Sequence, residues 1–138
     1  FLAAAAVVVC AQRDARTVFG LDGDPGDVAT RLREQTDADA AVVTHGADGA
    51  TGVERGADPI HEPARATTVV DRFGAGDAFL AGMVWGLLHD RDLSECLRCA
   101  VTLAALKCTV LGDHSQATAE ELVAALAAPS ATTDPILR

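Results

Sequence analysis

From Gly76 to Leu88 the chain is apolar on nearly every side, and this run limits the folds open to it. A helix with no polar face has to be buried. Only about a dozen residues lie between Asp77 and His89, short of the roughly 20 needed to cross a bilayer, so the burial is expected within protein. Ala78, Gly82 and Gly86 recur at every fourth position, which predicts one helix face along which another element approaches closely. Leu93, Cys96, Leu97, Ala100, Leu103 and Ala104 follow helical spacing and predict a second helix reaching Cys108.

Ahead of this pair, strands and helices alternate. The apolar residues 6–10 predict a buried strand, followed by a short helix over 14–19. Asp24-Pro25 is an N-cap with proline at the first helical position, opening a helix to about Thr36. Residues 40–44 read as a short apolar strand ending at His45-Gly46, and 50–53 and 60–62 as edge or hairpin strands. The β-branched run Thr67-Thr68-Val69-Val70 is strand-like, and Thr118-Ala119-Glu120-Glu121 is a capping box opening a last helix to about Ala127. This alternation implies an α/β fold with a largely parallel sheet. No linker or repeat divides the chain, and 129–138 reads as a flexible tail.

Composition narrows the partners. The formal net charge of −9 speaks against nucleic acid and anionic membranes. Lys107 is the single lysine against ten arginines, and Asp outnumbers Glu fourteen to six, a balance that suits a salty cytoplasm. The apolar start at 1–11 is too short to span a bilayer and lacks the pattern of a secretory signal, so a cytoplasmic protein is expected. Opening inside a core strand, the chain reads as part of a larger fold. An unpaired sheet edge and apolar face would then favour association, including a homo-oligomer. Cys96-x-x-Cys99 lacks a second ligand pair and lies on a predicted helix, so Cys10, Cys96, Cys99 and Cys108 are read as core or near-core thiols rather than a metal site.

The chemistry concentrates in Asp71-Arg72-Phe73-Gly74-Ala75-Gly76-Asp77. Small residues at a helix start leave backbone N–H groups uncovered, and with the helix dipole they form an anion site. An Asp there is out of place for anion binding alone. It fits if Asp77 accepts a proton from an attacking hydroxyl while the amides hold a phosphoryl group. From the residues alone, a tight turn with a helix-start carboxylate explains the pattern equally well.

Val70-Asp71-x-x-Gly74-Ala75-Gly76-Asp77-Ala78-Phe79-x-Ala81-Gly82 closely resembles the second signature of the ribokinase-like (PfkB) carbohydrate kinases. Val43-Thr44-His45-Gly46-Ala47-Asp48-Gly49 resembles the nucleotide-binding strand end of that family. The run from Ala104 to Asp113 resembles 2-keto-3-deoxygluconate kinases in particular, and Thr118-x-x-Glu121-Leu122 the closing helix. The resemblance implies that 1–128 is the C-terminal, nucleotide-binding part of a three-layer α/β/α kinase. It implies ATP-dependent phosphorylation of a sugar or sugar acid, with 2-keto-3-deoxygluconate favoured. Asp77 is then the catalytic base, and the amides of Gly74, Ala75 and Gly76 the anion hole. Thr44, Gly46 and Gly49, with Gly76, lie along ATP, and Arg72 faces phosphate or the sugar acid. Mg²⁺ falls to Asp14. A monovalent cation, K⁺, falls to Asp71 with carbonyls near Phe73, Val110 and Gly112, with Ser115 a further candidate; turn capping is the alternative for Asp71. Lys107 reads as a helix-end cation with no assigned role, His45 and His114 read as exposed loop residues, and His61 and His89 are uninformative.

The chain departs from the family at Ala11-Gln12-Arg13-Asp14, where Asn-x-x-Glu is usual, and at Val101, where ribokinases often place Asn. The sugar-binding Gly-Gly signature and a P-loop are both absent from these residues. The second reading is therefore an inactive fragment that keeps part of the nucleotide and anion site.

Overall fold

The computed structural model describes residues 5–128, so the expected tail at 129–138 lies outside the described residues. The chain forms two compact units that meet at Pro63/Ala64, a seam marked by no Gly- or Ser-rich linker.

The first unit holds β1 (Val7–Ala11), α1 (Gln12–Phe19), α2 (Pro25–Thr36), β2 (Ala40–Thr44), β3 (Ala50–Glu54) and β4 (Ile60–Glu62), in a sheet ordered β1-β2-β3-β4. β1 and β2 are parallel, joined through α1 and α2 as a parallel pair requires. β2–β3 and β3–β4 are antiparallel, so among the described strands parallel pairing is confined to β1–β2. The α/β class expected from the alternation is what forms. Asp24 caps α2 as predicted, its carboxylate accepting the Gly26 N–H at 2.9 Å and the Asp27 N–H at 3.4 Å. The helix stops at Asp37, which takes a left-handed φ of 52°. Val28, Ala29 and Leu32 of α2 pack with Val8, Ala41, Val43 and Val53 of the sheet to make the core. Burying each such valine or leucine contributes about 1.5–3 kcal/mol.

The second unit holds α3 (Ala75–Leu88), α4 (Leu93–Cys108) and α5 (Ala119–Ala127). The small-residue face of α3 meets α4 as its spacing predicts. A methyl on Gly82 would sit 2.6 Å from Ala100 Cα and 2.8 Å from the Cys99 carbonyl oxygen. One on Gly86 would lie 2.8 Å from Cys96 Sγ. Cys96 and Cys99 are buried at this contact, as expected of core thiols. The opposite side of α3 differs from expectation: Leu80, Val84, Leu87 and Leu88 are exposed, so burial holds for one face of the helix only. Asp92 and Thr118 cap the next two helices, Thr118 in the predicted capping box with Glu121.

Residues 67–70 do not form the expected strand. The Val70 N–H donates to the Cys108 carbonyl at 2.7 Å, and the Asp71 N–H donates to the same oxygen at 3.2 Å. A β-branched run favours a strand only where a pleated, half-buried surface receives it. Here the end of α4 offers an acceptor instead.

Candidate active site

Gly74 turns the chain into α3 with φ 77° and ψ 0°, a left-handed conformation that favours glycine. Close packing makes the same demand, because a methyl at Gly74 would run into the backbone of Asp113, whose carbonyl carbon lies 2.8 Å from the Cβ position. The Ala75 N–H donates to the Arg72 carbonyl at 3.2 Å. The N–H groups of Gly74, Gly76 and Asp77 meet no acceptor among the described residues. Of the three amides the resemblance assigns to an anion hole, two are therefore open and one closes a turn. Nothing crowds the Cβ position of Gly76. The Asp77 side chain, exposed in the first turn of α3, makes no cap, hydrogen bond or ion pair among the described residues. A carboxylate beside three uncovered amides at the positive end of a helix can accept a proton next to a bound anion. These residues therefore fit a phosphate group.

Asp71 organises the approach to this turn. One carboxylate oxygen accepts the Phe73 N–H at 3.0 Å, and the other accepts the Gly112 N–H at 3.0 Å. These two bonds, followed by the charge of Lys107, hold its carboxyl below the usual range. Arg72 and Phe73 are exposed, and neither side chain has a partner among the described residues. Lys107, without a role in the sequence reading, is fully buried at the end of α4. Its ammonium donates to the Val110 carbonyl at 3.2 Å and the Asp71 carbonyl at 3.4 Å. With Asp71 engaged by N–H groups and the Val110 oxygen by Lys107, these residues do not fit a K⁺ site. The signal in the sequence was the chain's single lysine directly after the apolar run Leu103-Ala104-Ala105-Leu106 of α4.

In the first unit, Thr44 ends β2, and a short 3₁₀ turn over Gly46–Asp48 leads to β3. Gly46 has φ 63° and Gly49 φ 96°, so both glycines supply backbone that other residues resist. The His45 N–H and the Gly49 carbonyl close the loop at 2.8 Å. His45 is not a free loop residue. Its Nε2 lies 3.1 Å from the Thr51 hydroxyl, which in turn lies 3.1 Å from His61 Nδ1. The hydroxyl has one proton, so it donates to one ring and accepts from the other. Burial first, and then the neighbouring His61, holds the His45 imidazole below its ordinary value. Asp14, in the first turn of α1, pairs with Arg13 Nε at 3.1 Å. No group of three or more His, Cys, Asp or Glu is placed to hold a metal among the described residues.

Residues 1–120 match the model of the pfkB family carbohydrate kinases. The chain belongs to that family. Among curated PfkB relatives, it is 37% identical over 116 residues to the 2-dehydro-3-deoxygalactonokinase of Haloferax volcanii, covering 84% of this chain and 36% of the relative. It is 30% identical over 97 residues to a 5-dehydro-2-deoxygluconokinase of Bacillus velezensis, covering 70% and 28%. The chain thus spans about a third of the length of the curated PfkB proteins it matches. Its structure is similar to the aminoimidazole riboside kinase of Salmonella enterica, solved with aminoimidazole riboside and an ATP analogue. The TM-score is 0.77 at 26% identity, over 91% of this chain and 43% of that one. No helix among the described residues is long and apolar enough to cross a membrane.

Proposed function

We propose that this PfkB chain is the nucleotide-binding part of a kinase that transfers a phosphoryl group from ATP to a hydroxyl of a 2-keto-3-deoxy sugar acid. The observation that carries the reading is the start of α3, where an unpartnered Asp77 carboxylate stands beside the open N–H groups of Gly74 and Gly76. Asp77 takes the proton of the attacking hydroxyl, a contribution of about 10²–10⁴-fold. The open amides and the helix dipole hold the charge on the phosphoryl group. The loop from Thr44 to Gly49 lies along the nucleotide, and exposed Arg72 faces the carboxylate of the sugar acid or a phosphate. Support for the acceptor comes from the 37% identity to a kinase named for 2-dehydro-3-deoxygalactonate. Its C4 epimer, 2-keto-3-deoxygluconate, is the substrate favoured by the run from Ala104 to Asp113, which resembles 2-keto-3-deoxygluconate kinases.

A specific observation favours a second reading for the 138 residues taken by themselves. Asp14 is tied to Arg13 and stands where the family pattern has a metal-ordering Glu, so this chain would hold nucleotide without turning it over. A coupled kinase assay with ATP and both epimeric acids separates the two. Turnover supports the first reading, and ATP binding without turnover supports the second. In the active protein, Asp77→Asn is expected to lower kcat by about 10²–10⁴-fold with ATP affinity kept within a few-fold. A kcat near wild type would remove Asp77 as the base.

A further inference from the structure

We propose that the Lys107 ammonium is a built-in monovalent cation, which holds the turn before Gly74-Ala75-Gly76-Asp77 in place without a dissociable alkali ion. Lys107 is the single lysine of the chain and, among the described residues, the largest fully buried side chain. An ammonium is seldom fully buried unless something repays its desolvation. Here two carbonyl oxygens do so, from Asp71 at 3.4 Å and Val110 at 3.2 Å. The Asp71 carboxylate adds its charge nearby while bonded to the N–H groups of Phe73 and Gly112. Lys107 lies one residue before Cys108, where α4 ends, so the negative end of the helix dipole adds to these oxygens.

Three stretches meet on this one charge: residues 70–73, the last turn of α4, and residues 110–112. An alkali ion held by the Asp71 carboxylate and the carbonyls near Phe73, Val110 and Gly112 would share the Val110 oxygen with Lys107, and like-charge repulsion from the ammonium keeps it out. Tethering the charge to α4 also removes the entropy of capturing an ion. Lys107 is thus a positioning residue for the turn that leads into Asp77. Its effect on phosphoryl transfer rests on the kinase reading, whereas its effect on cation binding does not.

The test is thermal melting of the 138-residue chain in KCl, NaCl, NH₄Cl and choline chloride at equal ionic strength. Wild type is expected to melt at the same temperature in all four. Lys107→Ala, which opens space for an ion, is expected to melt lower in choline and to recover most of the loss, saturably, with K⁺ or NH₄⁺. Lys107→Met keeps the stem and fills the space, and is expected to melt lower with no recovery. A purely structural lysine would not give ion-selective rescue. A saturable stabilisation of wild type by K⁺ over choline would overturn the proposal, as would a folded Lys107→Ala that no monovalent ion rescues. Should that variant fail to fold, thallium-205 NMR of wild type decides. Absence of specific Tl⁺ binding supports the built-in cation, and binding that K⁺ displaces overturns it.

Discussion

The Asp71 carboxylate accepts the Gly112 N–H at 3.0 Å, joining the turn before α3 to the loop after α4 across 41 residues of sequence. The same side chain accepts the Phe73 N–H, so a single carboxylate fixes both sides of the Gly74 turn. Gly74 in turn leaves the room that the Asp113 backbone occupies. The geometry of the proposed phosphate site in the second unit therefore depends on a loop that follows α4, not only on the residues of the signature.

Replacing Asp71 by Asn should lower the melting temperature at neutral pH, because the carboxamide has one oxygen to serve two N–H groups. The folded carboxyl titrates below 3.8, held down first by the Phe73 and Gly112 N–H groups. Its contribution is therefore complete above that value and is lost as pH falls through the lower folded value. Melting curves of both proteins should differ most near neutrality and converge in acid. A gap that stays constant with pH would show that the charge is immaterial.

Gly82→Ala should destabilise the second unit by about 1–2 kcal/mol. Alanine gains roughly 1 kcal/mol of helix propensity, but overpacking costs about 1–3 kcal/mol, and the upper end applies here. The neighbours at 2.6 and 2.8 Å are backbone atoms of Ala100 and Cys99, with no flexible side chain to yield. Gly76→Ala is the control, since nothing lies within 4 Å of its Cβ position, and it should match or exceed wild-type stability. Denaturant unfolding of the three proteins measures both; equal losses would remove the close-approach explanation.

Acidification should weaken the fold through His45. Its folded value lies below 6.5 through burial and the neighbouring His61, against a smaller opposing effect of Asp48. The unfolded chain then binds the proton more readily, so stability is constant above 6.5 and falls as pH drops through that value toward the folded one. Melting at about pH 5.5 should fall below that at about pH 7.5, and His45→Gln should flatten the difference. An unchanged slope in the variant would assign the effect elsewhere.

Much of this protein was legible in its residues because the determining interactions are local. The caps at Asp24 and Thr118, the strand over Ala40–Thr44 and the small-residue spacing of α3 each act within a few positions, and each appears where it was read. The Gly-Ala-Gly-Asp run was likewise visible as a helix start suited to an anion. Residues 67–70 were misread because β-propensity does not say which acceptor the backbone finds. His45 was misread because its partners, Thr51 and His61, are reached only once β3 and β4 pair.

By itself, the sequence determined the class of elements and the place of the Gly74 turn, since periodicity, capping and backbone freedom are written in adjacent side chains. Only the tertiary structure decided that Asp71 serves as a bridge and that the lone lysine is buried upon its carbonyl. The physical reason is distance along the chain. Lys107 and Asp71 are 36 residues apart, and no local preference brings a charged side chain inward until Asp71 and Val110 present the oxygens that compensate for its lost water.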